Sequence, residues 1–203
     1  AHQTLNDFCS STFNGRTLIL RRYNVIPTIK NFPNLMKLDL IDCTHLIYFP
    51  IISSLRELKI YHCLELISIP TLPNLTKLQI NNCRRLQALP SFQPSLKSVE
   101  VNCIPLLKEI SFSSVYIDSL SLLRCHAITD LSSLRNIPNL VIGHCDGVRS
   151  VQGLGGSSVE ECRKSVELLS LKYLRNLSGL HYIDSLKLCA LSLLNYRGID
   201  NIK

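Results

Sequence analysis

The chain has 203 residues, 46% of them hydrophobic, and a formal net charge of +7. That length allows one sizeable core, and a modest positive charge with no long basic tail mildly favours acidic partners. No apolar run is long enough for a membrane helix and no charged-then-apolar leader opens the chain, so a soluble protein without a membrane partner is expected.

The absence of Trp, the single Met and the abundance of Leu and Ile suit a core in which one aliphatic layer is stacked repeatedly. Residues 1–14 read as the tail of a preceding repeat, with Leu5 and Phe8 three apart. The first full copy is Leu18-x-Leu20-x-x-Tyr23-x-x-Ile26-x-x-Ile29, and the second runs Leu35, Leu38, Leu40, Cys43, Leu46 and Phe49-Pro50. Two closely matched copies follow: Leu55-x-x-Leu58-x-Ile60-x-x-Cys63-x-x-Leu66-x-x-Ile69-Pro70 and Leu75-x-x-Leu78-x-Ile80-x-x-Cys83-x-x-Leu86-x-x-Leu89-Pro90. Apolar residues in register at a fixed period mark a repeat array. The register then slips, with an extra residue near Pro94 and Cys103 arriving one position early, which predicts a bulge. Regularity returns through Ile117, Leu120, Leu122 and Cys125, and again through Ile137, Leu140, Ile142 and Cys145.

The stretch 152–165 holds Gly153, Gly155 and Gly156 and then Glu160, Glu161, Arg163 and Lys164; it reads as an irregular insertion. The pattern resumes at Val166, Leu169, Leu171, Leu174, Leu177 and Leu180, which puts Leu174 in the Cys position and Ser170, Lys172 and Tyr173 on the outward side. A ninth copy contains Ile183, Leu186, Leu188, Leu191 and Leu194. The whole of 1–203 is thus expected to be one array of about nine repeats, cut within the array at both ends.

Each x-Leu-x-Leu-x alternates apolar and polar residues, the mark of a half-buried strand. The return segment, with Pro70, Pro73 and similar breaks, has no room for a long helix and is expected to be extended or 3₁₀. Cys43, Cys63, Cys83, Cys125 and Cys145 share one register. They are expected to form an inward ladder of reduced thiols, which points to an intracellular, cytoplasmic setting. The sequons at Asn74 and Asn176 point the other way.

On these residues the chain resembles a leucine-rich repeat protein along nearly its whole length. The resemblance implies an α/β solenoid, a leucine-rich repeat horseshoe with a parallel concave β-sheet and a mostly non-helical convex side. In one departure from the family pattern, Leu66, Leu86, Ile128 and Val148 come three residues after the Cys position rather than two. Cys125-His-Ala-Ile-Thr-Asp130 is similar to the cysteine-containing repeats of ubiquitin-ligase substrate receptors, whereas Leu75 to Pro90 is similar to repeats of plant immune receptors. Both subfamilies stay open. The resemblance further implies a concave face that binds a macromolecule, so the chain is expected to be a protein-protein interaction module rather than an enzyme. Its alternatives are the substrate-receptor part of a ubiquitin ligase and the ligand-sensing array of an immune-type receptor.

Parity along the strands separates the stack from the surface. The partner-binding candidates are Arg21, Lys37, Asp39, Glu57, Lys59, Tyr61, His62, Lys77, Gln79 and Asn81, with Tyr61 as an aromatic anchor flanked by charge. An ordinary solvated sheet face is the plainer account of any one of them. His62-Cys63, Cys125-His126 and His144-Cys145 do not converge on one point, so no metal or other cofactor is expected. Cys162, beside Arg163 and Lys164, is the best-placed reactive thiol. The glycine stretch lacks the lysine and helix of a phosphate loop, and no small-molecule substrate is indicated. Arg84 and Arg85, with Arg21, Arg22, Lys59 and Lys77, could draw phosphates, but interleaved Asp39, Glu57 and Glu100 disfavour nucleic acid.

Overall fold

The computed structural model describes residues 14–23, 32–48, 50–90, 94–110, 112, 117–134, 137–152, 154, 165–171, 180, 183 and 185–189. Within them the chain is a parallel β-solenoid. Nine strands pair in strict chain order: β1 (Thr17–Arg21), β2 (Lys37–Ile41), β3 (Glu57–Tyr61), β4 (Lys77–Asn81), β5 (Ser98–Asn102), β6 (Ser119–Leu123), β7 (Asn139–Gly143), β8 (Ser165–Leu169) and β9 (Ser185–Cys189). Helix among the described residues is confined to one 3₁₀ turn, Ser132–Leu134.

The alternation read from the sequence is the alternation of burial. Leu38, Leu40, Leu58, Ile60, Leu78 and Ile80 are at most 1% exposed, while their neighbours on the same strands are half-buried on the outward face. A fully buried Leu or Ile contributes about 2 kcal/mol of transfer free energy, so each coil is held by the apolar pair that it stacks on its neighbours.

Each of β1 to β8 is followed by a residue with left-handed backbone. Arg22, Asp42, His62, Asn82, Cys103, Arg124, His144 and Ser170 have φ between 46° and 61°. Their N–H groups extend the sheet by one more bond: Asp42 N to the Tyr61 carbonyl at 2.9 Å, Arg124 N to the Gly143 carbonyl at 2.9 Å and His144 N to the Leu169 carbonyl at 2.8 Å. The next residue turns inward. Cys43, Cys63, Cys83, Cys125 and Cys145 are all 0% exposed, as the ladder reading requires. A turn then closes from Leu46 N to the Cys43 carbonyl (3.1 Å), Leu66 N to Cys63 (3.2 Å) and Val148 N to Cys145 (3.1 Å). This turn explains the three-residue spacing: residues i and i+3 both face the core, and Leu46, Leu66, Leu86, Ile128 and Val148 are 0–1% exposed.

Two expectations are corrected. No bulge interrupts β5, which pairs residue for residue with β4 and β6. Cys103 takes the left-handed position and Ile104, 0% exposed, fills the rung that cysteine holds elsewhere. The extra residue is therefore accommodated outside the strand. In the eighth coil the register lies three residues earlier than predicted. Val166 and Leu168 are the inward pair of β8, Ser170 is the left-handed residue, and Leu171 takes the Cys rung. Ser165, Glu167 and Leu169 therefore replace Ser170, Lys172 and Tyr173 at the outward positions. Lys172, Tyr173 and Leu174 lie outside the described residues, as do Leu5, Phe8, Ile26, Ile29, Phe49, Leu177, Leu191 and Leu194.

Candidate partner-binding face

The outward residues of neighbouring strands fall into three columns. The first contains Thr17, Lys37, Glu57 and Lys77, the second Ile19, Asp39, Lys59, Gln79 and Glu100, and the third Arg21, Ile41, Tyr61, Asn81 and Asn102. Nine of the ten sequence-predicted residues thus share one face, since β1 to β4 hold Arg21, Lys37, Asp39, Glu57, Lys59, Tyr61, Lys77, Gln79 and Asn81 in register. His62 is set apart. It occupies the left-handed position past β3, exposed, with Nδ1 3.2 Å from Asp42 Oδ1 on the coil before.

The face has its own polar contacts. Lys37 Nζ lies 4.0 Å from Glu57 Oε2, and Gln79 Nε2 donates to Glu100 Oε2 at 2.6 Å. Lys59, Lys77 and Arg21 enter no ion pair among the described residues. Two acceptors are closed off from water without a hydrogen-bond partner, Asp39 Oδ1 and Gln79 Oε1, on either side of Lys59 in the second column. Burial holds the Tyr61 phenol above its ordinary pKa, and the carboxylates of Glu100 and Asp39 push it the same way.

Farther along, the face changes character. Val141 stands in the second column, where the first half has Asp39 and Lys59, and Leu123 and Leu169 continue the third. Gly143 is buried between them, and a Cβ built there meets Leu123 Cδ2 at 2.8 Å and Leu169 Cβ at 3.0 Å. Glu167 and Lys187 pair at 2.6 Å beyond this patch. The sequence pattern Leu169-x-Leu171 predicts Leu169 inward, whereas it stands on the outward face. The signal that places it is Val166-x-Leu168-x-x-Leu171, which repeats the strand-and-rung spacing with Leu in place of Cys.

The thiols of the ladder are buried, and neighbouring thiols and burial set their ionisation. Cys63 Sγ donates to the Tyr61 carbonyl at 3.7 Å; its thiol eases ionisation of neighbouring Cys43, and the Cys43 neighbour and then burial hold Cys63 well above the ordinary thiol range. Cys125 and Cys145 repeat the arrangement, with Cys145 lowered and Cys125 raised. Burial pushes Cys83 up to about 12. All the cysteines among the described residues are free thiols. Cys162 and the glycines Gly153, Gly155 and Gly156 lie outside the described residues.

Among the described residues no three His, Cys, Asp or Glu side chains come together as a metal would require, and no helix is long and apolar enough to cross a membrane. Arg84 and Arg85 sit on the return side of the coil: Arg84 Nε donates to Asn82 Oδ1 at 3.4 Å and Arg85 pairs with Glu65. Asn74 is exposed, donates through Nδ2 to the Ser53 carbonyl at 2.8 Å, and precedes Leu75, which is 4% exposed. Asn176 lies outside the described residues. No protein-family model, curated protein or solved structure matches the chain.

Proposed function

We propose that the chain is a leucine-rich repeat array, an α/β-class horseshoe whose concave sheet face binds a protein partner and which performs no chemistry of its own. The observation that carries this reading is the set of three in-register outward columns on β1 to β4, where half-buried Tyr61 stands among Lys59, Lys77, Asp39 and Glu57. Tyr61 supplies the large, stiff contact area typical of an interface anchor, and the charges around it fix register and orientation. The buried free thiols suit a reducing, intracellular setting.

The test is capture of partners from a cell extract by the wild-type chain and by Tyr61→Ala combined with Lys59→Glu. The double variant is expected to keep the wild-type melting temperature and to lose the captured proteins. Recovery of the same proteins at the same yield defeats the proposal.

A further inference from the structure

Beside the outward face, at the N-terminal edge of the strands, the backbone forms a second ladder. The Arg16 carbonyl accepts from Met36 N at 2.8 Å and from Lys37 N at 2.9 Å, and the Met36 carbonyl from Arg56 N at 2.8 Å and Glu57 N at 2.9 Å. The Arg56 carbonyl takes Thr76 N and Lys77 N at 2.7 and 3.0 Å, and the Thr76 carbonyl takes Lys97 N and Ser98 N at 2.8 and 3.2 Å. Each forked acceptor fixes two residues of the next coil, the last before the strand and the first within it. Across five consecutive coils those pairs are Arg16-Thr17, Met36-Lys37, Arg56-Glu57, Thr76-Lys77 and Lys97-Ser98.

Every one of these coils carries a single cation at the edge, and Glu57 is the sole carboxylate among them. The following coils place Asp118-Ser119 and Pro138-Asn139 there, so the row has a defined end. At a strand spacing of about 4.8 Å the five cations span about 19 Å. Arg16, Arg56 and Lys97 are exposed, and Lys37 and Lys77 half-buried. Lys37 is near Glu57, but Arg16, Arg56, Lys77 and Lys97 enter no ion pair among the described residues. Like charges held in such a row repel one another, and an anionic ligand relieves that repulsion.

We propose that this edge binds an acidic, extended segment of a protein, laid across the strands with its carboxylates against the cation row. Charge complementarity sets the chemistry, and about six residues of extended chain cover the distance. Single-stranded nucleic acid is the weaker match, because it draws on aromatic stacking platforms and none of the paired edge positions holds an aromatic residue. Lys37 and Lys77 also belong to the first column of the face, whereas Arg16, Arg56 and Lys97 lie outside the Tyr61 cluster, so variants at those three probe the edge alone.

Fluorescence anisotropy of a labelled hexaglutamate peptide, with hexalysine and hexathymidylate as comparison probes, tests this on the whole chain. Hexaglutamate is expected to bind with an affinity that falls steeply as salt is added. Arg16→Ser, Arg56→Ser and Lys97→Ser together should weaken it on the order of tenfold, and Arg56→Glu alone should weaken it measurably. Arg16→Lys with Arg56→Lys should retain it, and Tyr61→Ala should leave it unchanged. No binding of hexaglutamate, an unaffected triple variant, loss of binding with Tyr61→Ala, or tighter binding of hexathymidylate each overturns the proposal.

Discussion

Arg124 is held at φ 54°, where its Cβ crowds the following carbonyl. For a residue with a side chain this region costs about 1–2 kcal/mol, and glycine avoids the cost. Arg124→Gly removes that strain but gives the unfolded chain about 0.5–1 kcal/mol of extra backbone entropy. It also gives up the exposed Arg124 Nη1 to Asn102 Oδ1 contact at 3.5 Å, which contributes a few tenths of a kcal/mol at most. The bond from Arg124 N to the Gly143 carbonyl belongs to the backbone and survives. The balance is a stabilisation of about 0.5 kcal/mol, or roughly 1–2 °C for a chain of this size. Arg124→Val, a β-branched residue in the same conformation, should instead lose about 1 kcal/mol or more. Urea and thermal melts of the three proteins side by side provide the measurement. A valine variant as stable as the glycine variant would refute the idea that the left-handed position carries strain.

The remaining predictions concern a turn and a phenol. A Cβ on Gly147 meets the backbone carbonyl oxygens of His126 and Ile128, each at 2.4 Å; carbonyls cannot rotate away as side chains do, so Gly147→Ala should cost on the order of 2–4 kcal/mol by urea denaturation, and a melt unchanged from wild type would contradict the turn geometry. Tyr61 should titrate above the ordinary tyrosine range in an ultraviolet phenolate titration, and Glu100→Gln should bring it part of the way back, leaving the shares due to burial and to Asp39. Because the folded pKa is raised, the corresponding stability is fully present below the unfolded value of about 10 and is lost as pH rises through the folded value. A Glu100→Gln protein whose Tyr61 titrates as in the wild type would remove Glu100 from that environment.

The strands were legible because a solenoid repeats one burial decision. Leu58, Ile60 and Cys63 recur twenty residues later as Leu78, Ile80 and Cys83, and both the inward pair and the rung could be read from that spacing. The eighth coil is ambiguous for a physical reason: Val166-x-Leu168 and Leu169-x-Leu171 both read as alternating apolar pairs, and the rung holds Leu171 instead of the marker cysteine. Cys103 misled in the opposite way, since the cysteine sits in the turn while Ile104 does the packing. The left-handed row gave no common signal, because Arg22, Asp42, His62 and Arg124 share no side-chain property and the conformation is imposed by the sheet bond that each N–H makes. The basic edge has no simple sequence signature, because its cations alternate between two sequence positions that the forked backbone bonds bring to the same edge. Likewise, Asp39 and Gln79 could be placed outward by parity, but the closure of one oxygen on each depends on how neighbouring coils cover them.

The spacing between strands carries one more implication. From Lys77 to Ser98 and from Ser98 to Ser119 the step is one residue longer than the usual twenty, and from Asn139 to Ser165 it is longer still, yet all eight strand pairings stay in register. Length variation is therefore absorbed entirely away from the sheet. A gene encoding such a chain can gain or lose codons between strands, or duplicate a whole unit, without disturbing the row of side chains that the outside world meets. The surface can be rewritten one residue at a time while the array changes length independently.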